Sequence, residues 1–359
     1  SGRLVRTLWT MQPRVGGRHT AEWDGLNDFT NAAPAGDYCF RVVVNGSSYT
    51  NVGTLGNTGW PPGEPQHIQH GVISVATDAR GNIYTANGWE EAGHDFKVQD
   101  PDGRTLFHAR YQIRNGNPNG APHAIAVDDT HIYCATHGWA GDQWKSKQQV
   151  QRFCITNGNH EAFTDPALTN SADHVQFYEW PEKQIPAGAF DAEARLMEKP
   201  LRALAVRGDT IFVTDCLGNK VHKINKVTGA RSGSFDVKLP HALAIDVKGL
   251  LWIGHEHGKV STFDADGKHR KLRIEKQGDI RSLAFGPDGK LYLADGEADQ
   301  IRVFNVQGRK PKFLSTFGRK AMPGDFAPDR FYDLQGAAVD FQGNLITIAG
   351  VTAGGARIA

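Results

Sequence analysis

The chain has 359 residues, 39% hydrophobic and 22% charged, and a formal net charge of +1. This composition supports a packed core and excludes a wholly disordered chain. The near-zero charge leaves no basic field to hold a phosphate backbone, and no apolar run approaches the ~20 residues that span a bilayer as a helix.

Glycine accounts for 41 of 359 residues, about 11% where about 7% is usual, which points to a turn-rich all-β protein. The four cysteines, Cys39, Cys134, Cys154 and Cys216, show no CxxC or CxxCH spacing, which excludes zinc-finger and c-type haem sites. Cys134 and Cys154 fall on neighbouring expected strands, where one bridge or two buried thiols would both fit. The Ser1-Gly2 start carries no charged and apolar leader and reads as a processed or engineered terminus.

The first expected unit covers residues 1–57. Short stretches of β-branched and aromatic residues, bounded by Gly, Asn and Pro, predict strands around Leu4–Leu8, Ala21–Gly25 and Tyr38–Val44. The Trp23-Asp24-Gly25 turn followed by Pro34-Ala35-Gly36-Asp37-Tyr38 resembles the Ig-like module of flagellar hook-capping proteins. That resemblance implies a small β-sandwich of the kind found beside other domains in secreted and surface bacterial proteins, with Trp23 and Tyr38 as core. Residues 58–70, rich in Pro and Gly, read as a linker or closing strap.

From residue 71 to 359 the chain repeats itself. Each copy is an apolar strand ending near Asp, a Gly turn, and a second apolar strand. The copies are 73–78 with 82–86, 123–128 with 131–136, 202–207 with 210–215, 241–246 with 250–255, 281–286 with 290–295, and 335–340 with 344–349. Such units cannot bury their faces alone, and radial stacking does so while leaving only short edges. The segments PHAIAVD at 122–128, PHALAID at 240–246, GPDGKLYLADG at 286–296 and GNKVHKIN at 218–225 resemble NHL repeats. The resemblance implies a six-bladed β-propeller over 71–359. The last unit lacks an outer strand in the sequence, so a segment from 56–70 is expected to pair there. The longest insertion, 165–199, carries Phe177, Tyr178 and Trp180 and a short helical signal at Asp191–Met197, and suits a lid or a packed strap equally.

Aligning the inner strands on their terminal Asp puts Ile73, His123, Arg202, His241, Arg281 and Gln335 at one equivalent place, expected to face the central channel at one height. An unpaired buried Arg is costly, so an anion, an acid or water must meet these cations, and Arg suits a planar carboxylate. Arg202, Arg281 and Gln335 are therefore the candidate substrate-binding residues. The two PHA motifs also resemble the peptidylglycine alpha-amidating lyase propeller. That resemblance implies a central Zn²⁺ held by His123 and His241, and its third His position falls on Gln335, a poorer ligand. His137 and His255 follow the second strands of the same two blades and are further metal candidates. With a metal, the site would be a lyase or hydrolase acting on a carboxylate-bearing substrate, with His255, Tyr133 or Tyr292 as base. Asp215, Asp295 and Glu256 are acid–base candidates or, more simply, loop-holding acids. No GxSxG, P-loop or GxGxxG is present. The leading expectation is a secreted or surface bacterial propeller that binds an anionic small molecule, a glycan or peptide, or a protein partner, with metal-dependent catalysis as the alternative.

Overall fold

A computed structural model of the chain describes residues 5–9, 14–28, 30–42, 72–86, 96–109, 120–139, 145–165, 174–181, 200–256, 258–321, 329–349 and 357–358. The chain divides into two compact units, Ser1–Tyr49 and Thr50–Ala359. In the first, the two sequence motifs meet: Trp23 and Tyr38 pack edge to face with ring centroids 4.7 Å apart. Trp23 Nε1 donates to the Leu26 carbonyl at 2.7 Å, and the Tyr38 hydroxyl donates to the Pro34 carbonyl. Outside named strands, a β-bridge joins Leu26 to Ala32.

The second unit is all-β among its described residues. The first blade runs β1 (Ser74–Thr77), β2 (Ile83–Ala86), β3 (Phe96–Gln99) and β4 (Thr105–Ala109). The second has β5 (Gly120–Val127), β6 (His131–Trp139), β7 (Lys145–Cys154) and β8 (His160–Glu161), with β9 (Val175–Pro181) also paired to β7. The third has β10 (Leu201–Arg207), β11 (Thr210–Asp215), β12 (Lys220–Asn225) and β13 (Arg231–Asp236). The fourth has β14 (Pro240–Ile245), β15 (Leu251–His255), β16 (Lys259–Phe263) and β17 (His269–Ile274). The fifth has β18 (Ile280–Phe285), β19 (Lys290–Asp295), β20 (Gln300–Asn305) and β21 (Lys312–Phe317). A short parallel pair, β22 (Arg319–Lys320) and β23 (Arg330–Phe331), leads to a three-stranded sheet of β24 (Leu334–Val339), β25 (Leu345–Ala349) and β26 (Arg357–Ile358). Among the described residues the second unit is therefore a β-propeller with five blades of four or five strands, and the three-stranded sheet stands between the fifth and the first. The first strands form a closed circuit, β1–β5–β10–β14–β18–β24 and back to β1. Across that closure Thr77 Oγ1 donates to the Val339 carbonyl at 3.0 Å.

Local chemistry explains why four of the six hairpins form where they do. In these the Asp that ends the inner strand (Asp78, Asp128, Asp246 or Asp340) accepts amides from its own turn. Asp78 Oδ1 takes Arg80 N and Asn82 N, Asp246 Oδ1 takes Lys248 N and Leu250 N, and Asp340 Oδ1 takes Gln342 N and Asn344 N, all at 2.8–2.9 Å. The second carboxylate oxygen holds the facing strand: Tyr84 and Tyr133 donate their hydroxyls to Asp78 and Asp128, and Trp252 Nε1 donates to Asp246. These bonds fix the hairpin register, which in turn decides which face each side chain takes.

The core lies between sheets. Tyr84, Phe96 and Val98 of the first blade meet Ile132, Cys134 and Phe153 of the second. Ala124, Tyr133, Leu204 and Val213 fill the next seam, Phe212, Leu243 and Ile253 the third, Trp252, Leu283 and Leu293 the fourth, and Ala294, Leu334 and Ala349 the fifth. Full burial of each Leu, Ile or Phe stabilises by about 1.5–3 kcal/mol. The fourth inner-strand position counted from Ile73 and its equivalents is alanine throughout: Ala76, Ala126, Ala205, Ala244, Ala284 and Ala338. No bulk at that level holds the first strands apart.

Several expectations are corrected or resolved here. All four cysteines are free. Cys134 stands opposite Gln151 and Cys154 opposite His131, so the two lie three residues apart along the ladder and cannot bridge. Phe177 and Tyr178 of the insertion form part of β9 and pack against the third blade: Phe177 meets His222 edge to face, Arg231 lies over the Phe177 ring, and Tyr178 bonds Asp215. At these two residues the insertion is a strap. The helical signal at 191–197 and the closing strap at 56–70 lie outside the described residues. No described helix is long and apolar enough to cross a membrane.

Candidate axial anion site

A cavity of ≈ 320 Å³ runs along the propeller axis, lined by residues from all the first strands. At one end it is bordered by Ile73, His123, Arg202, Arg281 and Gln335. Among the described residues that line it there is no Asp or Glu, and below the mouth its walls are Ala, Val, Leu, Ile, Ser, Thr, Gly and Phe.

The strands deliver these side chains by a repeated irregularity. In five inner strands the pairing slips by one residue, between Pro122 and Ala124, Leu201 and Leu204, Pro240 and Ala242, Ile280 and Ser282, and Leu334 and Gly336. His123, His241, Arg281 and Gln335 each sit on such a slip, and Arg202 shares its slip with Ala203. A bulge turns the strand locally and re-aims the side chain it carries. Strict alternation had been the sequence argument for convergence; the bulge is the device actually present. The described β1–β2 pairing runs from Ser74–Ala86 to Thr77–Ile83 without a slip, and just before it Ile73 N bonds the Ala86 carbonyl.

Three of the bulged side chains are held by the residue two positions earlier. Arg281 Nε pairs with Asp279 Oδ2 at 2.6 Å, Gln335 Nε2 donates to Asp333 Oδ1 at 2.7 Å, and His241 Nδ1 meets the Leu239 carbonyl at 2.9 Å. The Arg281–Asp279 pair is solvent-exposed and adds at most about 1 kcal/mol of stability, so it positions more than it stabilises. The Asp two residues before Arg281 and Gln335 was a readable signal in the sequence that strand alignment alone passed over. His123 instead reaches across to the next blade, where Nε2 lies 2.7 Å from the Leu201 carbonyl. His241, turned back on Leu239, does not line the cavity, so the structure gathers His123, Arg202, Arg281 and Gln335 and omits His241.

The proton-transfer candidates stand elsewhere. Tyr133 is fully buried and bonds Asp128; burial and the neighbouring Asp128 charge raise its hydroxyl far above the usual tyrosine range. Tyr292 packs against the apolar cluster of the fifth seam. His255 lines a separate cleft of ≈ 380 Å³ with Lys238, Lys259, Ser261, His269 and Arg273. Its Nε2 lies 2.8 Å from Ser261 Oγ, and burial lowers its pKa below the ordinary histidine value. His137 pairs by backbone with Ala121 and Gln148.

The acids at second-strand ends are already engaged. Asp215 accepts Tyr178 OH at 2.6 Å, Gly218 N at 2.8 Å and His222 Nε2 at 3.0 Å. Burial alone would raise its carboxyl, but those bonds outweigh it and hold it below the usual range. Asp295 pairs with Arg302 at 2.6 Å and takes the Gly278, Glu297 and Ala298 amides. Glu256 is tied to Lys238 and Lys259. Cys216, beside Arg202, donates its thiol to the Pro240 carbonyl at 2.7 Å, and burial pushes its pKa up to about 12.

The zinc implied by the lyase resemblance needs at least three protein ligands. Among the described residues no three of His, Cys, Asp and Glu come together, and the two motif histidines turn ring nitrogens to backbone carbonyls. The described side chains do not compose such a site.

No family model matches the chain, and no curated protein matches it. Among solved structures it is similar to a catalytically inactive virginiamycin B lyase from Staphylococcus aureus with quinupristin, at 14% identity over 69% of this chain and 71% of that one, with a TM-score of 0.41. It is also similar to a streptogramin B lyase (9% identity, 81% and 95% covered, TM-score 0.46) and to a Bacteroides caccae protein of unknown function (13%, 68% and 81%, TM-score 0.46). Nothing about this chain's ligand follows from those likenesses.

Proposed function

We propose that this protein is a binding propeller whose axial mouth takes a carboxylate-bearing ligand. One observation carries the reading: Arg202 and Arg281 line the axial cavity together, and among the described residues that line it none is a carboxylate. Arg281, whose Nε is paired with Asp279, and Arg202 bring two guanidinium groups to one channel mouth, and a planar carboxylate matches their donor geometry. His123 and Gln335 add donors at the same end. Binding is favoured over catalysis because Tyr133, Tyr292 and His255 lie outside the channel lining. In this reading the sheet β24–β26 serves as a sixth blade, since Gln335 and Ala338 repeat the mouth and alanine positions of the other first strands. The resemblance of residues 1–57 to an Ig-like module of secreted and surface bacterial proteins supports an extracytoplasmic setting. Calorimetric titration with butanoate and with uncharged butanamide tests the function. Saturable binding of butanoate alone, weakened about tenfold or more in Arg281→Ala, is expected, from about 1.5–3 kcal/mol for a hydrogen bond to a charged group. Equal binding of both compounds, or none of either, overturns it.

A further inference from the structure

Resting on that reading, the backbone shows where in the channel the anion sits. In each hairpin the terminal residue bonds across the turn, as in Asp128 N to His131 O, Asp246 N to Leu250 O and Gly286 N to Lys290 O. Hydrogen-bonded and open pairs alternate along an antiparallel ladder. Counting back, the pairs Ile125–Cys134, Leu204–Val213, Leu243–Ile253, Leu283–Leu293 and Ala337–Thr347 are open ones. The N–H and C=O groups of Ile125, Leu204, Leu243, Leu283 and Ala337 therefore both point away from the second strand, into the channel.

Two of these amides are capped from the preceding sheet. Ile125 N donates to Ser74 Oγ at 3.2 Å, and Ala337 N donates to Ser282 Oγ at 2.8 Å. Ser74 and Ser282 hold equivalent positions in β1 and β18. The same position in the sheets preceding Leu204, Leu243 and Leu283 is Ala124, Ala203 and Ala242, which have no side-chain acceptor. Among the described residues no side chain caps those three amides, on three consecutive blades, β10, β14 and β18. Their strands also carry Arg202 and Arg281, two residues higher, a rise of about 7 Å. Val75, under Gly336, is likewise uncapped, but it stands beneath Ile73 and has no cation above it.

We infer that Leu204, Leu243 and Leu283 donate their backbone amides to the ligand's carboxylate, which enters the throat beneath Arg202 and Arg281 and leans on the β10–β14–β18 wall. Backbone donors grouped in a concave wall form an anion-binding surface, and adjacent guanidinium groups supply the neutralising charge. The ligand class is then a small monocarboxylate with a narrow, uncharged stem. A bulky or branched head would stay at the mouth.

All three donors are leucines, so protein labelled with ¹⁵N-leucine reports on them directly. Titration with butanoate should move the Leu204, Leu243 and Leu283 amide signals, assigned by single Leu→Met variants, and butanamide should not. Ala203→Ser, which installs the Ser74-type cap on Leu243, should weaken butanoate binding about fivefold while the other leucine signals stay in place. Ser282→Ala, which uncaps Ala337, should not weaken it. If Arg281→Ala abolishes binding while the leucine signals never move and Ala203→Ser binds as the parent does, the anion stays at the mouth and this inference falls, with the axial reading intact. If butanoate does not bind the parent, both fall.

Discussion

At Arg281 the tether matters as much as the charge. Asp279 holds Nε, which leaves the terminal nitrogens as a fork with its orientation set. Arg281→Lys keeps the charge and loses the fork, so it should bind carboxylate several-fold more weakly than the parent while melting at the same temperature. A lysine variant with parental affinity would show that only charge counts. A second residue-scale expectation concerns pH. His108, His255 and His269 are all held below their ordinary value of 6.5, chiefly by burial. The unfolded chain then takes up protons first as pH falls through 6.5, so folding stability declines from about pH 6.5 downward. Urea midpoints at pH 7.5 and 5.5 measure this, and His255→Gln should flatten part of the slope. Asp128 and Asp215 act lower still. Burial opposes their ionisation, but hydrogen bonds, from Lys226, Thr130 and His131 at the first and from His222, Tyr178 and Gly218 at the second, hold them below the usual carboxylate value of 3.8. Their stabilisation is present above about pH 4 and is lost only in stronger acid.

The hairpin with its Asp-held turn is the element the molecule repeats. Asp246→Ala would strip two turn amides and Trp252 Nε1 of their acceptor, with Trp252 fully buried, and should cost about 2–4 kcal/mol in chemical denaturation. A cost within a few tenths would show that water replaces the carboxylate without penalty. The tight turn after β15 is a second constraint: a Cβ on Gly258, at φ +69°, would come within 1.8 Å of the Gln277 carbonyl oxygen. The inner and second strands were legible because the Asp, the Gly turn and the alternation recur at one spacing, so each copy corroborates the others. The bulges were not legible, because a slip of one residue leaves the apolar pattern intact and shows only in pairing. His241 shows this: equal offset from the terminal Asp puts it on a bulge, and the carbonyl of Leu239, at φ +47°, holds its ring. The uncapped amides were likewise hidden, since Ala124, Ala203 and Ala242 read as ordinary small core residues until the ladder phase is known. The insertion showed its aromatics but not their partners, since Asp215 and His222 lie on another blade.

The second unit is held by neighbour contacts around a ring. Five of the six seams have their own apolar cluster, and β24 completes the circuit to β1. Deleting 334–359 would expose the seams of the fifth and first blades together, and loss of one cooperative thermal transition is expected. A truncated protein that melts as the parent does would contradict closure. Residues 1–49 form their own compact unit, so removing them should leave the transition of the remainder within a few degrees. The closed circuit has a further consequence. Val72 enters at the same end of the first strands where Ala349 leaves, since Ala349 pairs with Leu334 at the start of β24 and β25 touches β1. The propeller thus has no topologically privileged first blade. A circular permutant that joins these two points by a short Gly/Ser linker, and opens at the Asp264–Gly267 outer turn, should keep the same ring and the same axial arginines.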